Sequence, residues 1–213
     1  VGIYTMSNVT VNAQDGVGIY LDGTSPGINL THNGIVNTVD GIGIYVDAGT
    51  TLTTGISKFN INGGTGVYID GGTANLGTTG NLTFNFLAGG GIGVFNNGGT
   101  LNLGNNTTAT GPGSVAATVN GDLNSSGNLN ISSGGTGLLG IYDNGATVDK
   151  SISNTGNITA VSGGIGLAAT KGTSDPTGVI TINNGGIITA SGKTSVSPFA
   201  PSIGIYTDIA NVV

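Results

Sequence analysis

Gly41-Ile42-Gly43-Ile44-Tyr45-Val46-Asp47 decides how this chain is read, because the phrase returns almost unchanged on either side. It stands before as Gly16-Val17-Gly18-Ile19-Tyr20-Leu21-Asp22 and after as Gly64-Thr65-Gly66-Val67-Tyr68-Ile69-Asp70. Weaker copies are Gly2-Ile3-Tyr4, Gly91-Ile92-Gly93-Val94-Phe95, Gly140-Ile141-Tyr142, Gly164-Ile165-Gly166-Leu167 and Ile203-Gly204-Ile205-Tyr206, with a degraded copy at Gly113-Ser114-Val115. Most marker glycines are spaced by roughly 20 to 27 residues, the range of solenoid repeats.

Two further phrases lie between markers. One is Thr155-Gly156-Asn157-Ile158-Thr159-Ala160, with relatives at Thr79-Gly80-Asn81-Leu82 and Ser126-Gly127-Asn128-Leu129; the other is the alternation Thr50-Thr51-Leu52-Thr53 or Thr100-Leu101-Asn102-Leu103. Each repeat therefore predicts three short strands separated by Gly/Asn corners. A single unit of this kind has nothing to bury its apolar face against. Stacking unit on unit closes a continuous core, and the expected fold is an all-β, right-handed parallel β-helix of about 8–9 coils of roughly 25 residues. Residues 1–213 read as one β-helix segment, a piece of a longer protein.

Composition agrees with this. The chain has 213 residues, of which 43 are glycine and 7% are charged. Collagen is excluded because the glycines keep no three-residue period, and a positive mean hydropathy argues against disorder. There is no Arg and no Glu, only four Lys, ten Asp and one His, for a net charge of −6. Nucleic acid and anionic membrane surfaces are poor partners for such a surface, since both are held by clustered cations. No apolar run is long enough to insert in a membrane as a helix. Cysteine is absent, which leaves the redox compartment open.

The same stretches resemble the passenger regions of large Gram-negative autotransporter adhesins, particularly those of oral anaerobes. The likeness is carried by Asn154-Thr155-Gly156-Asn157-Ile158-Thr159-Ala160 followed by Gly163-Gly164-Ile165-Gly166-Leu167, repeated without cysteine. Filamentous haemagglutinin-like exoproteins carry similar repeats. The resemblance implies display on the bacterial cell surface from the outer membrane and attachment to glycans or glycoproteins of host or other bacterial cells. No cofactor is implied.

Candidate contact residues follow from alternation along the marker strand. If Ile42, Ile44 and Val46 face the core, Gly43, Tyr45 and Asp47 face solvent. Repeated coil by coil, this predicts an aromatic column of Tyr4, Tyr20, Tyr45, Tyr68, Phe95, Tyr142 and Tyr206. It serves either as a packing ladder or as a platform for sugars. Beside it an acidic column of Asp22, Asp47 and Asp70 continues as Asn97, Asn144 and Asp208. Carboxylates about 5 Å apart repel by roughly 0.8 kcal/mol even in water, so local Asx turns or a cation between coils must offset the column.

Four insertions are further candidates, since loops on a rigid scaffold commonly carry recognition. They are residues 23–27 with Pro26, 105–113 with Pro112, 171–178 with Pro176, and 193–201; Lys171, Asp175 and Lys193 sit in the last two. His32 has no partner type for a transition-metal site. Catalysis is not expected, because clustered carboxylates with basic groups are missing. Thr-x-Thr pairs such as Thr51 and Thr53 raise an ice- or mineral-facing surface as an alternative, but the pairs do not recur in register.

Overall fold

A computed structural model describes residues 2–24, 27–195 and 200–209. No helix is present among them, and strands stack in parallel along one axis. The first face of the solenoid is an eight-stranded sheet of marker strands, beginning Val17–Leu21, Ile42–Asp47, Thr65–Asp70 and Gly91–Asn97 and ending Ile165–Lys171 and Ile203–Thr207. The degraded copy belongs to it as Gly113–Val119. Eight marker strands enclose seven complete turns, close to the expected count.

The other two phrases form the other two faces, as expected. Strands such as Thr51–Thr53, Thr73–Leu76 and Thr100–Leu103 make the second face. Ser57–Asn62, Leu82–Phe86 and Asn128–Ser132 belong to the third. At the N-terminal end the corner between these faces is absent, and Gly2–Gln14 and Ile28–Val39 run across both. Only a one-residue register shift between Ser7 and Val9 marks the bend, with Asn8 at φ 58°. Asparagine is among the few residues that tolerate that conformation.

Inward residues of the three faces meet in one core. Ile44, Val67 and Val94 from the first face are fully buried, as are Leu52 and Leu76 from the second. From the third come Phe59 and Phe84, stacked at 5.1 Å between ring centres. Each such side chain contributes roughly 1.5–3 kcal/mol by leaving water.

The marker strand breaks the expected alternation at its glycine. Gly43 and Ile44 are both buried in succession, while Ile42 is only half-buried. Gly43 faces inward, against the third face, and does not point to solvent. A Cβ on Gly66 would lie 2.7 Å from the carbonyl oxygen of Gly93 and 3.0 Å from the ring of Phe59. On Gly93 it would lie 2.5 Å from the carbonyl oxygen of Val115 and 2.8 Å from the ring of Phe84. At these coils the marker glycine is hemmed in by the carbonyl of the next strand on its own face and by the third-face ring; one coil on, where Ala109 stands opposite Phe84, the equivalent position holds the buried Val115.

Two marker copies are displaced. Gly2-Ile3-Tyr4 pairs with Ile28-Asn29-Leu30 and lies at the second face, not the first. In Thr136–Tyr142 the residue that aligns with Ala117 and Ala168 is Leu139, and the glycine packed against Gly166 is Gly137, not Gly140. Residues 105–113 are no insertion either: Asn106–Thr110 is a regular third-face strand, and Pro112 sits in the tight corner after it. Residues 172–179 do form a loop. Of the remaining two insertions, Ser25, Pro26 and residues 196–199 lie outside the described residues.

Candidate functional site

The marker sheet brings Tyr20, Tyr45 and Tyr68 into register, followed by Phe95. Parallel in-register pairing puts equivalent side chains one strand spacing apart, and the rings accordingly stack at 4.9, 5.2 and 5.2 Å. Interplanar angles of 18°, 8° and 28° turn the ring faces toward one another along the rod. A ligand approaching from the side therefore meets ring edges and phenolic oxygens.

Beyond Phe95 the column continues as Ala117, Leu139, Ala168 and Tyr206. Tyr142 is not part of it. That residue aligns with Lys171, is fully buried, and donates its hydroxyl to the carbonyl of Gly121 at 3.1 Å. Burial, and then the Asp122 carboxylate, hold its phenol protonated well above the usual range. Tyr4, at the second face, is likewise outside the column. Local spelling misplaced both, because alternation within one strand says nothing about which residue of the next coil stands opposite.

Asp47 and Asp70 are opposite each other, with Asn97 next in line. Asp22 follows Leu21, the partner of Val46, and so stands opposite Asp47. Asn144 does not continue the column, since Val119 pairs with Ile141 and carries the register past it. The repulsion between carboxylates is offset in two ways. Asp22 accepts the N–H of Thr24 at 2.9 Å, an Asx turn, and Asp47 accepts that of Ala48 at 2.8 Å. Asp70 instead binds across coils, accepting the Tyr45 hydroxyl at 2.5 Å and the Asn97 amide at 2.9 Å.

That hydroxyl bond to a carboxylate is the main cause of the strongly raised pKa of Tyr45, with burial and the Asp70 charge adding to it. Tyr20 is raised as well, first by desolvation in the stack and then by Asp47, Asp22 and Asp70. Tyr20 and Tyr45 thus stay protonated phenols beside acceptor carboxylates. The stripe's chemistry is hydrogen bonding to hydroxyl and amide groups. Among the described residues no group of three His, Cys, Asp or Glu side chains is placed to hold a metal ion.

Lys171, Asp175 and Lys193 do not join this stripe. The strand ending at Lys171 lies four sheet positions beyond Thr65–Asp70, about 19 Å at roughly 4.8 Å per strand. There the Lys171 N–H donates to Asp208 at 2.7 Å, Asp175 is exposed in the 172–179 loop, and Lys193 bridges to Pro201.

An asparagine ladder, not among the expected columns, also runs along the rod. Asn37 donates to Asn12 at 2.7 Å, Asn60 to Asn37 at 2.8 Å, and Asn85 to Asn60 at 2.9 Å. Its signal was present, because Asn12, Asn37 and Asn60 each stand six residues before a marker glycine. His32 is fully buried, and desolvation lowers its pKa, opposed in part by a backbone hydrogen bond at Val9.

No family model matches the chain, and no curated protein or solved structure matches it. No helix among the described residues is long and apolar enough to cross a membrane.

Proposed function

We propose that this chain is a segment of a bacterial cell-surface adhesin, displayed from the outer membrane, that attaches to a glycan or glycoprotein of host or other bacterial cells. The observation that carries the reading is the in-register stripe of Tyr20, Tyr45 and Tyr68 beside Asp22, Asp47 and Asp70 on one face of a rigid rod. The stripe repeats one set of hydrogen-bonding groups at each coil, which suits an extended ligand that itself repeats hydroxyls. Rigidity favours such contact, because the stacked coils order the side chains before the ligand arrives.

A second reading is a stalk that only projects a contact surface. The asparagine ladder and the Phe59–Phe84 stack favour it, since both tie coil to coil along the rod. Glycan arrays and pull-downs from host-cell membranes with the whole chain separate the two. Binding lost in a triple Ala variant of the tyrosines, with the fold intact, supports the adhesin surface; silence in both assays favours the stalk.

A further inference from the structure

The turn from the first face to the second changes length abruptly partway along the rod. Gly98 and Gly99 alone separate Gly91–Asn97 from Thr100–Leu103, and residues 120–122 separate Gly113–Val119 from Leu123–Ser125. One coil later the same turn takes residues 143–149 before Lys150–Asn154 begins. At this step from short corners to a long one a cavity of about 410 Å³ opens, within the size range of small-ligand sites. Its glycines leave backbone bare, and its polar groups come from Asn97, Asn102, Asn120, Asp122, Asn124 and Lys150.

Most of these side chains are already fixed by the protein. Asn96, almost fully buried, accepts the Gly99 N–H at 3.1 Å and donates to the Asp122 carbonyl at 3.3 Å, tying the two short corners together. Asn120 gives its amide hydrogen to Asp143 at 2.7 Å and accepts the Asp143 N–H at 3.0 Å. Asn97 and Asn102 donate down the rod to Asp70 and Asn75. Their carbonyl oxygens, and the whole amide of Asn124, remain free to meet a ligand. The two charges facing each other, Lys150 and Asp122, are 3.8 Å apart and cancel.

Such a lining selects by chemistry. A phosphate or sulfate would need cations without a carboxylate beside them, and a bare cation would need several converging oxygens. Free carbonyl oxygens on Asn97 and Asn102 beside the Asn124 amide, which can both donate and accept, with no net charge, suit a molecule that both gives and takes hydrogen bonds. We infer that this step is a binding subsite for a neutral, uncharged sugar residue. The inference rests on the glycan reading of the stripe, because Asn97, next in line after Asp70, is also a wall of the cavity.

The test is an NMR titration of the intact, ¹⁵N-labelled chain with lactose, cellobiose and N,N′-diacetylchitobiose, and with sialic acid and inorganic phosphate as charged comparators. At least one neutral disaccharide should give saturable shifts at the Gly98, Gly99 and Gly121 amides, with the comparators about tenfold weaker or silent. Asn124→Ala, a change at an exposed side chain, should weaken that disaccharide several-fold at unchanged melting temperature, whereas Tyr4→Ala, an exposed ring outside both the stripe and the cavity, should leave it alone. Shifts confined to residues 20–22, 45–47 and 68–70 would overturn the subsite and leave the stripe standing. Preference for sialic acid or phosphate would overturn it too, as would no shift from any disaccharide; the stripe itself is judged separately by the glycan array and the triple Ala variant.

Discussion

Replacing Tyr45 with Ala removes one ring from the middle of a four-ring stack and one donor from Asp70. Two stacking contacts vanish, at 4.9 Å to Tyr20 and 5.2 Å to Tyr68. At about 0.5–1.5 kcal/mol per pair they contribute roughly 1–3 kcal/mol. The hydroxyl bond to Asp70 adds about 1 kcal/mol, below the usual value for a charged acceptor because both groups are half exposed. Tyr45→Ala should therefore lose about 2–4 kcal/mol in urea denaturation followed by circular dichroism, and Tyr45→Phe only about 1 kcal/mol. Tyr4→Ala is the control, since Tyr4 is exposed and joins no stack, and it should stay within about 0.5 kcal/mol of the parent. Equal losses for Tyr45→Ala and Tyr4→Ala would refute the ladder as a source of stability. Glycan affinity measured on the same variants gives the second readout. Unchanged binding with an intact fold would remove the stripe as a contact surface and leave the loops bearing Lys171, Asp175 and Lys193.

Three other outcomes are expected. Gly93→Ala should cost about 1–3 kcal/mol through overpacking, while Gly16→Ala, where the nearest atom is 3.7 Å from the new Cβ, should be neutral or stabilising by up to about 1 kcal/mol in the same melts. His32 has a folded pKa below its unfolded value of about 6.5, so the unfolded chain binds the extra proton and stability is lost as pH falls through that value. His32→Leu should flatten the stability profile between about pH 7 and pH 5, and an unchanged slope would contradict the burial of a neutral ring. Tyr20, Tyr45 and Tyr142 have raised pKa values, so their contribution is complete below the unfolded value of about 10 and is lost only as pH rises through the folded one. Tyrosinate absorbance at about pH 11 should fall well short of six residues until the chain unfolds, and Tyr142→Phe should reduce the late-titrating part.

The sequence alone determined the solenoid, its three strands per coil and the outward placing of Tyr20, Tyr45, Tyr68 and their aspartates. Those features follow from recurrence and from period-two alternation, both local properties of a strand. Tertiary structure decided what depends on neighbouring coils. Gly43 can face inward because it has no Cβ to meet Val36 of the third face and the Gly66 carbonyl of the next coil, neighbours that alternation within one strand does not show. Leu139 takes the column position expected for Tyr142 because register is set by backbone pairing with residues some 20 to 30 positions away in sequence. A shift of one or a few residues there reassigns every side chain that follows on its strand. The cavity at Asn97, Asp122 and Lys150 depends on the lengths of three successive corners, and a groove between coils exists only once those corners are stacked.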